Sequence, residues 1–319
     1  MSVDPAITPV LVVGMNRSGT KWLSNLLCNH SKLAGVQSER HTGIVETNMF
    51  SIMDEKFDFS SPQDRHVMID LWTRTDFFRR TSVQRHVLLE APEPKTSLEI
   101  FVRFMEAHAG LLGRDCWLQK LSPEAALAII DRLPTAKVVV IKRDFLSTIR
   151  STLQLEHIDG KTPSVFDAVY NFVAQSKLLD RLNSRHATFP VRFEDLRDNL
   201  PRTMRAVCDF LDIPFEDDVL QSRYAKNTSF KGHDQHPAVG YVEAHASRIH
   251  ALRVGLGLLP LWAITGYSRL KNAVQGFRSR PFVRGSFSEL EAELQAELQA
   301  EMKAALQEDD AEEKTLNST

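Results

Sequence analysis

Apolar residues in this chain gather in short runs that end at glycine or polar positions, each followed by a stretch of helical character. The first, Val10-Leu11-Val12-Val13, is β-branched-rich, suits a buried parallel strand and stops at Gly14. A turn runs on to Gly19, and a helical pattern starts at Thr20. The run Cys116 to Lys120 precedes a helical stretch opened by Pro123, and Val138 to Ile141 leads through Arg143 into another helix. Phe189 to Ile213 reads as a strand and then a helix, with Asn199 at the cap, Pro201 in the first turn and Val207, Phe210 and Leu211 on the apolar face. Glu194 and Asp195 are expected on the extended part, pointing to opposite faces, which disfavours joint acid–base work.

A strand, a glycine-bounded turn and a helix start make an anion cradle. Backbone N–H groups of the turn and the unsatisfied N–H groups of the helix point at one spot, where the helix dipole favours negative charge. Arg17, Ser18, Thr20 and Lys21 add side-chain donors. The order Gly19-Thr20-Lys21-Trp22 departs from the nucleotide-binding G-x-x-x-x-G-K-[ST], since a lysine one place late disturbs both its own reach and the hydroxyl that holds magnesium. Arg143 stands at a strand's carboxyl end, where ligands of open α/β sheets collect. Its planar fork of donors suits phosphate. Ser151 lies roughly 12 Å further along the helix, so it joins Arg143 on one phosphate only if the helix crosses over that site.

Arg17-Ser18-Gly19-Thr20 resembles the 5′-phosphosulfate loop of sulfotransferases that use 3′-phosphoadenosine 5′-phosphosulfate (PAPS), with Lys21 in place of the usual hydroxyl. Arg143 and Ser151, in the spacing R-D-x(6)-S, resemble the 3′-phosphate motif of the same family, and Val191 to Leu196 resembles its V-x-[YF]-E-D-L segment. The resemblance implies an α/β three-layer sandwich with a central, mainly parallel β-sheet and a P-loop-like strand-loop-helix. It also implies sulfuryl transfer from PAPS to a hydroxyl or amine on a carbohydrate, lipid or small metabolite. Arg17, Ser18, Gly19, Thr20, Lys21, Arg143 and Ser151 would hold PAPS. Lys231 and Gly232, in a stretch similar to the family's late nucleotide-covering loop, would contact the 3′-phosphate. Lys21 either grips the 5′-phosphate or faces solvent.

Such a transfer needs a base for the acceptor proton and cations on the oxygen that takes up charge. Glu39 resembles the catalytic glutamate of tyrosylprotein sulfotransferases, with one residue inserted; His41 competes with it, since other sulfotransferase branches use a histidine, and Glu46 is a third choice. Lys120 resembles the family's strand-end lysine and is expected to stabilise the leaving group or the sulfuryl group with Arg17. A binding protein that keeps the cradle without turnover, or a P-loop kinase, is the alternative.

Composition narrows the rest. A net charge of −2 argues against a general nucleic-acid or anionic-membrane binder. Cys28, Cys116 and Cys208 are too few and too scattered for a disulfide framework. His233, His236, His245 and His250 do not follow a zinc spacing, so no metal is expected. Ile249 to Trp262 is apolar but too short to span a bilayer, and is expected to be a buried helix or hairpin. No signal peptide is visible at the start, so a cytoplasmic location is expected. Residues 1–284 are expected to form one sulfotransferase domain, and 285–319 a helical segment with an acidic polar tail that packs on the body or pairs two subunits. Asp54 to Arg114, rich in Phe, Arg and His, is expected to shape the acceptor site.

Overall fold

The computed structural model describes residues 7–47, 50, 53–55, 57–90, 93–158, 164–221 and 237–264. Lys231, Gly232, His233, His236 and the expected C-terminal helix lie outside them, as does the boundary at residue 284.

A five-stranded sheet forms from β1 (Thr8–Gly14), β2 (Leu33–Ala34), β5 (Cys116–Leu121), β6 (Lys137–Lys142) and β7 (Thr188–Arg192), in the order β2-β5-β1-β6-β7. Every pairing in it is parallel. The register sets Val13 beside both Leu121 and Val140, and Gly14 beside Ile141, so β1, β5 and β6 end together. Their shared carboxyl edge is where the chain can build a ligand site.

Alternation along β1 produces the layers. Val10 and Val12 face one core with Leu118, Val139 and Ile141, where α1 (Thr20–Leu27) contributes Leu23, Leu26 and Leu27. Val207 and Leu211 of α9 (Leu200–Leu211) close the same layer. Leu11 and Val13 face the opposite core with Trp117, Leu121 and Val140. There α4 (Ser97–Leu111), α5 (Pro123–Ile129) and α7 (Val165–Arg185) pack. Successive strand residues point to opposite faces, so an unbroken apolar run such as Val10 to Val13 needs helices on both.

The region from Asp54 to Arg114 joins this second layer through α2 (Pro62–Thr73), α3 (Asp76–Arg79) and α4. Its aromatic residues cluster with neighbours on either side: Trp72 lies 4.7 Å from Phe104, and Phe101 lies 4.7 Å from Phe50 and 5.8 Å edge-on to Trp117 of β5. Most of the Phe content is therefore core beneath the sheet, as edge-to-face pairs at these separations favour.

Two expectations are corrected. Glu194 and Asp195 are not extended: β7 stops at Arg192 and α8 (Phe193–Asp198) starts at once, with both carboxylates in its first turn. Acidic groups are favoured there by the helix dipole. Ile249 to Trp262 is not buried. The helix α10 (Pro237–Ala244) packs on α6 (Phe145–Ile158), where Arg150 pairs with Glu243 at 2.7 Å. Beside it, α11 (Ala246–Leu258) covers α7 and α6 through Ile249 and Leu252, while Val254, Leu258 and Trp262 are exposed. Among the described residues no helix is long and apolar enough to cross a membrane, and the three cysteines are buried and free.

Candidate functional site: an anion cradle and a charge cluster

The turn after β1 is built around positions that side chains would obstruct. Gly19 has φ 101° and caps α1; a Cβ on it would stand 2.5 Å from the Phe193 ring. On Gly14 a Cβ would meet the Ile141 carbonyl oxygen at 2.7 Å. Arg17 also takes positive φ, 67°, which turns the loop back on itself. Ser18 is fully buried and donates through Oγ to the Met15 carbonyl at 2.7 Å, bracing the loop from within. Gln175 of α7 accepts from Asn16 N at 2.9 Å, so the loop is tied to the second helical layer as well. The first N–H groups of α1 have no partner within their own helix, which makes this helix start a position suited to an anion.

The second strand-to-helix turn closes on the first. Arg17 donates through Nε to the Ser151 hydroxyl at 3.0 Å, and Arg143 donates through Nη1 to the Arg17 carbonyl at 3.1 Å. Phe193 at the start of α8 lies between the turns: the Arg143 guanidinium stands 4.5 Å over its ring and Trp22 meets it edge-on at 5.7 Å. Arg143 Nε is buried and has no hydrogen-bond partner among the described residues. Burial pulls the guanidinium below its ordinary pKa, with Glu194 opposing the shift. A buried donor of this strength left unfilled is costly, and an anion satisfies it.

A cluster of charges adjoins the cradle at the end of β5. Lys120 Nζ lies 2.5 Å from Glu46 Oε2, both side chains being partly shielded from solvent. Burial, followed by the charges of Lys120 and Arg17, holds Lys21 below the ordinary lysine pKa, and Glu46 opposes this. Three cations and one carboxylate thus face one region. Among the described residues no group of three or more His, Cys, Asp or Glu side chains gathers in a way that could hold a metal ion.

Residues 9–217 match the family model described as Sulfotransferase family. The chain belongs to that family. Solved structures with a similar fold include the sulfotransferase domain of the Synechococcus PCC 7002 olefin synthase, at 16% identity and TM-score 0.49, covering 79% of this chain and 94% of that one. The sulfotransferase domain from the curacin biosynthetic pathway is 14% identical, with TM-score 0.46, over 76% of this chain and 98% of its own. A sulfotransferase from Alicyclobacillus acidocaldarius is 15% identical, with TM-score 0.41, over 82% and 99%. No curated protein matches the chain significantly.

In this sulfotransferase the three candidate bases occupy different places. Glu39 and His41 lie in the turn of a hairpin, β3 (Gln37–Ser38) with β4 (Gly43–Ile44), where Thr42 N donates to the Glu39 carbonyl at 3.0 Å. Glu39 is exposed, and His41 Nε2 lies 3.5 Å from Asp76 Oδ2 of α3. Glu46, two residues beyond the hairpin, is the one in contact with Lys120. Lys21 donates to the His41 carbonyl at 3.0 Å and reaches the Thr42 hydroxyl at 3.4 Å, a use that neither sequence expectation contained. Phe193, Gln175 and Asn25 also escaped sequence reading. For Asn25 a signal existed, since it stands four places after Lys21 on the same helix face.

Proposed function

We propose that the protein transfers the sulfuryl group of PAPS to a hydroxyl or amine acceptor by in-line displacement. The observation that carries this reading is the joining of two strand-to-helix turns through Arg17, by its bond to Ser151 and the bond it accepts from Arg143. A nucleotide with phosphate at both ends needs two anion sites a short distance apart. Ser18, Gly19, Thr20 and Lys21 line the site for the 5′ end, and Arg143 with Ser151 the site for the 3′-phosphate. The unfilled Arg143 Nε fits such a ligand.

When bound, PAPS supplies the sulfuryl group and a phosphate leaving group. Glu46 is the base in this reading: its Oε2 takes the acceptor proton as the new S–O bond forms and the bond to the phosphate oxygen breaks. Lys120 and Arg17 set positive charge against the oxygen that becomes negative, where fixed cations act without having to reorganise. The Lys120 contact favours Glu46 over Glu39 and His41. The kinase reading needs a magnesium-holding acidic residue after the apolar run Val138 to Ile141, where Lys142 stands.

Separate calorimetric titrations with PAPS and with ATP plus magnesium test the donor: PAPS is expected to bind and ATP not to, and the reverse overturns the reading. Glu46→Gln, Glu39→Gln and His41→Gln, assayed by PAP release from PAPS with p-nitrophenol or water as acceptor, test the base. Loss of most turnover is expected for Glu46→Gln alone. Wild-type turnover in that variant, with loss in either of the others, moves the role to the hairpin turn.

A further inference from the structure

The hairpin between Val36 and Val45 does not pack by apolar contact alone; one face of α1 grips it through polar side chains one turn apart. Lys21 donates to the His41 carbonyl and reaches the Thr42 hydroxyl. Asn25 is buried, donates through Nδ2 to the Thr42 carbonyl at 3.1 Å and accepts at Oδ1 from Ile44 N at 2.8 Å. Residues four apart on a helix stand one above the other, which lets the pair reach successive residues of the same turn.

The turn is shaped to receive this grip. Thr42 and Gly43 both take positive φ, 50° and 115°, and a Cβ on Gly43 would collide with Asn25 Oδ1. The close approach thus requires glycine, and Asn25 fills the space that glycine leaves. Beyond it, Val45 N donates to the Val36 carbonyl at 2.9 Å, and Gln119 reaches the Val45 carbonyl at 3.4 Å from the neighbouring strand. Glu46 comes next, facing Lys120. The chain entering Glu46 is therefore fixed by a short path from α1, the helix whose first turn forms the cradle.

We infer that Asn25 is a positioning residue: its paired bonds to Thr42 and Ile44 lock the hairpin to the cradle helix and so set the Glu46 carboxylate against Lys120 at the distance transfer requires. This rests on the reading of Glu46 as base. Both ends of the Asn25 amide are taken up by the hairpin. Its loss would leave the anion sites intact while letting the base drift, and misplacement of a reacting group by about 1 Å costs on the order of 100-fold.

The test uses the full chain, with PAP titrated calorimetrically and PAP release from PAPS followed with p-nitrophenol or water as acceptor. Asn25→Ala is expected to lower kcat about 10- to 100-fold, with PAP affinity and KM for PAPS changed less than about threefold. Asn25→Asp, which keeps the shape and the acceptor for Ile44 N but loses the donor to Thr42, should fall between it and wild type. If the alanine variant does not fold, Asn25→Asp alone carries the kinetic comparison. In a Glu46→Gln background Asn25→Ala should cause no further loss, because both changes act through one group. Equal losses in kcat and PAP affinity, or a full additional loss in the Glu46→Gln background, overturn the positioning role. Wild-type turnover of Glu46→Gln overturns the base instead, and an inactive Glu46→Gln beside a fully active Asn25→Ala overturns the positioning role alone.

Discussion

Arg17 Nε and Ser151 Oγ lie 3.0 Å apart although 134 positions separate them in sequence. The bond brings the middle of α6 onto the loop after β1, whose Arg17 carbonyl also accepts from Arg143. Ser151→Ala removes an acceptor from a partly buried guanidinium. In the proposed site Ser151 also bonds the 3′-phosphate, and hydrogen bonds to charged groups contribute about 1.5–3 kcal/mol, so PAP affinity should fall roughly 10-fold or more with the fold preserved. Calorimetric titration reads this directly, and unchanged affinity would detach Ser151 from the nucleotide site.

Arg143 donates to the Arg17 carbonyl and keeps Nε unfilled in a buried place. Arg143→Met should therefore weaken PAP more than Ser151→Ala does, since it removes both the charge and the brace on the loop. Arg143→Lys should recover only part of the loss, because an ammonium is a point charge without the planar fork. The check is the order of the three dissociation constants. A lysine variant equal to wild type would show that only charge matters there.

Gly19 combines positive φ with a Phe193 ring 2.5 Å from where a Cβ would stand. Gly19→Ala should cost about 1–3 kcal/mol from backbone strain, with the clash in addition. For a domain of this size each kcal/mol lowers Tm by about 2–4 °C. Phe193→Leu in the same chain should relieve the clash but not the strain, giving partial recovery in thermal melting. Full recovery would assign the whole effect to the ring.

Lys21 has a pKa held below the ordinary lysine value by burial and by the Lys120 and Arg17 charges. Its folded value is below its unfolded value, so the charged form opposes folding; stability rises with pH between the two values and is level on either side. Anion binding runs the other way. PAP affinity should fall on the alkaline side at a lower pH than a free lysine would impose, as Lys21 loses its proton. Lys21→Arg, which stays charged, should remove that limb from a calorimetric pH series. A limb that persists in the arginine variant belongs to another group.

The elements most legible in the sequence are those whose local pattern and tertiary role agree. Val10 to Lys21 declares a strand by its β-branched run, a turn by its glycines and a helix by the pattern that begins at Thr20, and all three form where expected. The same holds for Val138 to Ser151. Glu194 departs from its expected strand because five residues give too short a window to mark the strand's end, and the strand-to-helix change falls within the matched segment itself. Ile249 to Trp262 misleads for a different reason. Apolar content reports what a helix can bury, while the neighbours on α6 and α7 take up only the side carrying Ile249 and Leu252. Within the charge cluster, the contact of Glu46 with Lys120 depends on a two-stranded hairpin whose strands are two residues each, below any readable period. Nothing local distinguishes Glu46 from Glu39, seven places earlier.

Lys120 and Glu46, in contact at 2.5 Å and partly shielded, form a pair in which removing either member leaves the other's charge without its closest partner. Lys120→Met should therefore have an effect on transfer that the loss of a surface lysine would not. It removes positive charge from the place where the leaving oxygen develops its own, which acts on the transition state and lowers kcat more than it raises KM for PAPS. Loss of a single positioned donor in such a site costs about 100- to 1,000-fold. Rates of PAP release measured over a range of PAPS concentrations for wild type and Lys120→Met separate kcat from KM and read this directly. A raised KM with an unchanged kcat would make Lys120 a contact to the bound donor and take it away from the stabilisation of the leaving oxygen.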